Sequence, residues 1–228
     1  MADDSANQGS LLEERHGAVA LLRLNRPSSK NALSRELVAT LGAALGRLAA
    51  DKAVRAIVLA GSGGSFCSGV DLKEAVGEIT GGGDLGARVD AFHTVIRGIV
   101  GASQPVIAAV DGPAVGFGAD LALACDLRVI SERAYFQEKF VGIGLMPDGG
   151  GTFFLPRLIG LGRALELLLT GDAVDAKLAR ELGLAREIVP PETLESNALV
   201  LATRLAEGPP HALAAVKAAA RAWTPSTP

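Results

Sequence analysis

Two patterns alternate along the chain: short, continuously apolar runs, and longer segments whose apolar residues recur every three or four positions. Ala18–Leu24, Val54–Leu59 and Val106–Val110 are of the first kind and predict strands buried on both faces. Leu127–Ile130 and Ala185–Val189 are shorter strands, and Ala134–Gln137 reads as extended. Ser34 stands where a helix N-cap belongs, ahead of Leu37, Leu41, Ala44, Leu45 and Leu48 at helical spacing. Val89, Phe92, Ile96 and Ile99 mark another helix. Helical patterns also cover Asp71–Glu78, Phe117–Ala124, Gly149–Ile159, Arg163–Thr170, Asp175–Leu182, Pro191–Ala206 and His211–Trp223. Strands alternating with helices predict βαβ-type units and a largely parallel sheet, an α/β fold.

Two glycine-rich loops follow two of these strands. Gly61-Ser62-Gly63-Gly64-Ser65-Phe66-Cys67-Ser68-Gly69-Val70-Asp71-Leu72 comes after Val54–Leu59, and Asp111–Asp120 comes after Val106–Val110. Glycine has no Cβ and tolerates positive φ, so its backbone can turn sharply and present N–H groups to a ligand. Two such loops at the ends of parallel strands can aim two donors at one oxygen, the requirement of an oxyanion hole. A third glycine cluster, Pro147-Asp148-Gly149-Gly150-Gly151, opens a helix. Gly81-Gly82-Gly83-Asp84-Leu85-Gly86 formally fits a dinucleotide-binding fingerprint but follows a helix-like segment rather than a strand, so it reads as a flexible loop and a candidate lid.

Composition narrows the classes further. Hydrophobic residues make up 49% of 228, enough for one substantial core, and exclude a disordered chain. Net charge is −3 with Lys and Arg scattered, which excludes a basic stripe for nucleic acid. Two cysteines, Cys67 and Cys125, form neither a metal-ligand spacing nor a disulfide framework. The acidic, polar start is unlike a signal peptide, and no apolar run spans a membrane. The expectation is a soluble cytoplasmic protein without a metal. His16, His93 and His211 lie outside both loops and are assigned surface or core places rather than catalysis. Residues 1–10 read as a mobile tail, 11–190 as the core, and 191–228 as a C-terminal helical region.

Four segments in order resemble the enoyl-CoA hydratase/isomerase (crotonase) superfamily. They are Leu24-Asn25-Arg26-Pro27 with Lys30-Asn31-Ala32-Leu33, then Phe66–Leu72, then Gln104–Gly112 running on to Asp126, and finally Gly142–Gly150. The resemblance implies a crotonase-like β/α spiral of stacked ββα units, an acyl-CoA thioester substrate, and a homotrimer or dimer of trimers. CoA would be part of the substrate, with no separate cofactor. By the family pattern, the backbone N–H groups of Ser68 and Phe117 would hold the thioester oxygen. Cys67, Gly69, Asp71, Leu72 and Gly116 would line the CoA-binding strip. The C-terminal helical region is shorter than is usual for that family.

Hydratases of this family share one water between two glutamates. Here Asp120 stands at the first position and Phe140, which cannot transfer a proton, at the second. Asp148 instead stands directly after the proline, where isomerase branches carry their base. The reading is an enoyl-CoA double-bond isomerase with Asp148 as base, walled by Phe140, Leu145 and Met146 to raise its pKa and exclude water. The competing role for Asp148 is to N-cap the helix at Gly149. Asp120 is read as a surface or supporting residue as readily as a catalytic one, and Glu138 and Glu74 as solvated carboxylates. Two other functions stay open: an enoyl-CoA hydratase of fatty-acid β-oxidation using Asp120 and Asp148, and a non-catalytic acyl-CoA-binding paralogue.

Overall fold

The structure, a computed structural model, describes residues 9–222. The first eight residues of the expected tail and Trp223 of the last helix lie outside this range; within it, the Ser10 carbonyl accepts the Asn25 N–H at 2.8 Å. The large sheet has six strands in the order β1-β2-β3-β4-β6-β9, namely β1 (Leu11–His16), β2 (Val19–Leu24), β3 (Ala56–Gly61), β4 (Val106–Val110), β6 (Leu127–Ser131) and β9 (Glu187–Val189). Only β1 runs antiparallel to its neighbour; the remaining pairs are parallel. β5 (Pro113–Val115), β7 (Tyr135–Gln137) and β8 (Ala173–Asp175) form a small second sheet.

The continuous apolar runs reflect burial on both faces. On β4, Val106, Ala108 and Val110 pack into the cluster holding α1 (Arg35–Ala50) and α3 (Leu85–Gly101), while Ile107 and Ala109 face α8 (Leu194–Ala206). Ser34 caps α1 as expected, its hydroxyl accepting the Leu37 N–H at 3.2 Å. The chain advances as a spiral, and its two middle turns each place one strand in the large sheet, one in the small sheet, and then helix. Thus β4 and β5 lead into α4 (Phe117–Ala124), and β6 and β7 lead into α5 (Gly151–Ile159) and α6 (Leu161–Thr170). The remaining helices are α2 (Leu72–Thr80), α7 (Ala176–Glu181) and α9 (Pro210–Ala222).

The candidate lid closes the end of α2: Gly81 N–H bonds Gly77 O at 3.0 Å and Gly83 N–H bonds Glu78 O at 2.8 Å. Among the described residues, no helix is long and apolar enough to cross a membrane.

α4 is buried along its whole length, so its C-terminal carbonyls need partners other than water. The buried Arg128 guanidinium supplies them, donating to Cys125 O at 2.8 Å and to Ala122 O at 3.4 Å. The helix whose first turn faces the glycine loops is therefore held at its far end.

Candidate functional site

The first glycine loop is laced onto the second. Cys67 N–H donates to Pro113 O at 2.9 Å and Val115 N–H to Cys67 O at 3.0 Å, which makes Cys67 an outlying member of the small sheet beside Ala114. A Cβ on Gly118 would lie 2.2 Å from the Cys67 carbonyl oxygen, so the first turn of α4 rests on the loop with no room for a side chain. A Cβ on Gly69, whose φ is 93°, would lie 3.6 Å from the Phe117 nitrogen. The two loops therefore meet at Gly69 and the start of α4.

Which amides remain free differs from the sequence expectation. Ser68 N–H is bonded to Lys30 O at 3.0 Å, and the Ser68 hydroxyl donates to Ser29 O at 3.1 Å. Ser68 is thus a strap to the turn at Pro27–Ser29 rather than a free donor. Cys67 and Gly116 N–H are also engaged, the latter by Gln137 O at 2.8 Å. Two residues on, Val70 N–H has no acceptor among the described residues, although its neighbours pair with Leu33: Leu33 N–H donates to Gly69 O at 2.8 Å and Asp71 N–H to Leu33 O at 3.1 Å. Phe117 N–H, at the first position of α4, is likewise without an acceptor, as helix starts require. Its positive dipole end faces the junction.

The first motif, around Lys30–Leu33, proves to be scaffolding for this loop. Asn31, fully buried with φ of 55°, donates to Ser62 O at 2.9 Å and Ser65 O at 2.7 Å and accepts the Arg26 N–H at 2.8 Å. Asn31→Ala strands all three partners and is expected to cost about 3 kcal/mol at roughly 1 kcal/mol per bond. Urea denaturation of the two proteins measures it, and an unchanged midpoint contradicts the scaffolding role.

The other residues placed on the CoA strip divide. Cys67 is fully buried and burial pushes its thiol up to about 12, so its side chain belongs to the core and does not line a strip. Leu72 is exposed at the start of α2. Burial works against the Asp71 charge, but the Arg26 guanidinium at 3.0 Å holds its carboxyl below the usual range.

The third glycine cluster serves carboxyl groups. α5 begins at Gly151 and its N-cap is Gly150, with no side-chain cap, so Asp148 is not the helix cap. Its carboxyl reaches the surface, and loss of hydration there raises its pKa above the ordinary carboxylate range. His93 of α3 bonds the Asp148 main-chain carbonyl at 2.9 Å, so its Nε2 carries the proton; it steadies the Asp148 turn, a place that its distance in sequence concealed. The expected apolar wall is only partly present. Phe140 is buried with its ring 3.9 Å from where a Gly116 Cβ would stand, but Leu145 and Met146 are 61% and 68% exposed.

Asp120 is neither at the surface nor solvated: it is fully buried in α4, and Oδ2 accepts the Gly149 N–H at 3.0 Å. Desolvation, and secondarily the Asp148 charge, raise its pKa to about 7. Glu138, read as a surface carboxylate, is 5% exposed. Desolvation and then the neighbouring Asp120 and Asp148 charges push it to about 9. The overlooked signal was alternation: Phe136 and Glu138 are two apart on an extended segment and face the same side, inward. Glu74 instead takes up a capping place, accepting the Arg35 N–H at 2.8 Å.

The model of the enoyl-CoA hydratase/isomerase family matches residues 14–227. The 1,2-epoxyphenylacetyl-CoA isomerase of Escherichia coli is 39% identical over 88% of this chain and 78% of its own. A 4-chlorobenzoyl coenzyme A dehalogenase of an Arthrobacter species is 38% identical over 90% of this chain and 75% of its own. The crystal structure of an enoyl-CoA hydratase from Bacillus anthracis superposes with a TM-score of 0.89 at 35% identity, covering 94% of this chain and 83% of that one.

Proposed function

Because the chain belongs to the enoyl-CoA hydratase/isomerase family and is an acyl-CoA enzyme with the crotonase fold, we propose that it moves the double bond of an enoyl-CoA, with Asp148 as its base. The Val70 and Phe117 N–H groups hold the thioester oxygen. Asp148 removes a proton from C2 of a 3-enoyl-CoA, the electron pair passes onto the thioester oxygen as an enolate, and the same proton returns at C4. The double bond then lies between C2 and C3. Charge appears on the oxygen only as the proton leaves, so fixed donors favour the transition state over the bound substrate.

One observation carries this choice over hydration. Of the three carboxyl groups at the site, only Asp148 reaches the surface; Asp120 and Glu138 are buried and Phe140 fills the place of the second hydratase glutamate. Adding water requires two groups on one water molecule, whereas moving a double bond requires one carboxylate. Turnover of 3-enoyl-CoA, 2-enoyl-CoA and 4-chlorobenzoyl-CoA, measured side by side, tests it. Faster turnover of the 3-enoyl substrate is expected. Faster hydration of the 2-enoyl substrate, or release of chloride, overturns it, and binding without turnover of any establishes a non-catalytic protein.

The assembly that fits this reading is a homotrimer or a dimer of trimers. Leu161, Leu165 and Leu169 lie four residues apart along α6 and are 63%, 45% and 69% exposed, an apolar stripe that a second copy would cover.

A further inference from the structure

Beneath the turn that carries Asp148 lie three buried oxygens that no donor among the described residues meets in full hydrogen-bond geometry: both carboxyl oxygens of Glu138, and Oδ1 of Asp120, whose carboxyl the Gly151 N–H approaches. Buried polar atoms without partners are rare and costly. These are not independent orphans. A Cβ placed on Gly151 would be 2.7 Å from Asp120 Oδ1 and 2.8 Å from Glu138 Oε1, so both oxygens flank one point just under the start of α5. The glycine at 151 makes room for them.

Among the described residues, the surroundings supply Glu138 with no counter-charge. The cavity of about 10 Å³ beside Glu138, at the lower limit for a single water, is lined mainly by Leu123, Phe136, Leu155, Leu167 and Val174. The charged group it adds is Asp172, itself acidic. On the other side stand Asp148 and, beyond it, His93 of α3. Two ionised carboxylates cannot persist here, whereas one proton held between them satisfies an orphan on each.

We propose that Glu138 and Asp120 form a buried carboxylic acid–carboxylate pair sharing one proton, and that Glu138 is a positioning residue for the reaction. Glu138 donates to Asp120 Oδ1. Asp120, so held, accepts the Gly149 N–H through Oδ2, which fixes the turn of the adjacent Asp148. The pair stands on burial and geometry alone; its consequence for turnover rests on the reading of Asp148 as the base.

Infrared spectra of the full chain at mildly alkaline pH, above the Asp120 value of about 7 and below the Glu138 value of about 9, test the pair without reference to turnover. A protonated-carboxyl stretch is expected in the unmodified protein and in Asp148→Asn, and its loss in Glu138→Gln. Absence of the band in the parent protein, or its survival in Glu138→Gln, overturns the pair. Kinetics test the positioning role: Glu138→Gln, whose amide can still donate, keeps kcat near the parent value. Glu138→Leu lowers kcat on the order of tenfold or more at nearly unchanged KM. Equal kcat in Glu138→Leu and the parent overturns positioning, as does an equal loss in both variants. Should Glu138→Leu fail to fold, kcat of Glu138→Gln decides: a value near the parent's supports positioning and a large loss overturns it. Should Asp148→Asn turn over normally, the base assignment falls while the infrared result stands.

Discussion

Asp148→Asn is expected to slow isomerisation of a 3-enoyl-CoA by about 10²–10⁴-fold, the contribution of one positioned general base. The substitution keeps size and shape but replaces a basic carboxylate with an amide that does not take up the proton. The fold should survive: the Asp148 side chain caps no helix, and the His93 contact is to its main-chain oxygen, which the variant retains. KM should move little, because the substrate is held by backbone donors and by CoA contacts rather than by this carboxyl. Circular dichroism together with steady-state rates separates the cases, and retained turnover in a folded variant removes Asp148 from the chemistry.

Conformational stability should fall as pH rises from mildly acidic to mildly alkaline values, and Glu138→Gln should flatten that fall. Burial raises the Glu138 pKa in the folded state far above that of an exposed glutamate. Between the two values the native chain holds a proton that the unfolded chain has released. Stability from this group is therefore complete below the unfolded pKa and is lost as pH climbs toward the folded one. One proton of difference corresponds to a slope of about 1.4 kcal/mol per pH unit. Asp120, also raised, adds in the same direction. Urea midpoints of both proteins at several pH values measure the slope. Parallel curves for the parent and Glu138→Gln contradict a buried protonated Glu138.

What the sequence disclosed, and what it hid, follows from how locally each feature is encoded. β3 and β4 were legible because sheets covered on both faces demand unbroken apolar runs. β1 was not: at the sheet edge, Leu-Leu-Glu-Glu-Arg-His leaves its last four residues exposed and carries no such run. β5 has three residues and lies inside a glycine-rich stretch, where it reads as loop. The loops that make the site were recognisable by their glycines, but the free amide was placed at Ser68 instead of Val70. That choice is settled by Lys30 O, a partner contributed by a distant turn. α5 was expected from Gly149 and starts at Gly151, because Gly150 stands at a φ of 107°, outside the helical region, and the helix begins only after it. Buried charge is likewise invisible to composition, and Glu138 showed itself only through its two-residue spacing from Phe136.

A crystal structure with a non-reactive acyl-CoA thioether ketone or acyl-CoA analogue measures the convergence of the two loops most directly. The carbonyl oxygen should lie about 2.7–3.1 Å from both the Val70 and the Phe117 nitrogen. An oxygen bound to only one of them, or seated elsewhere while Ser68 N–H turns from Lys30 to meet it, contradicts the arrangement.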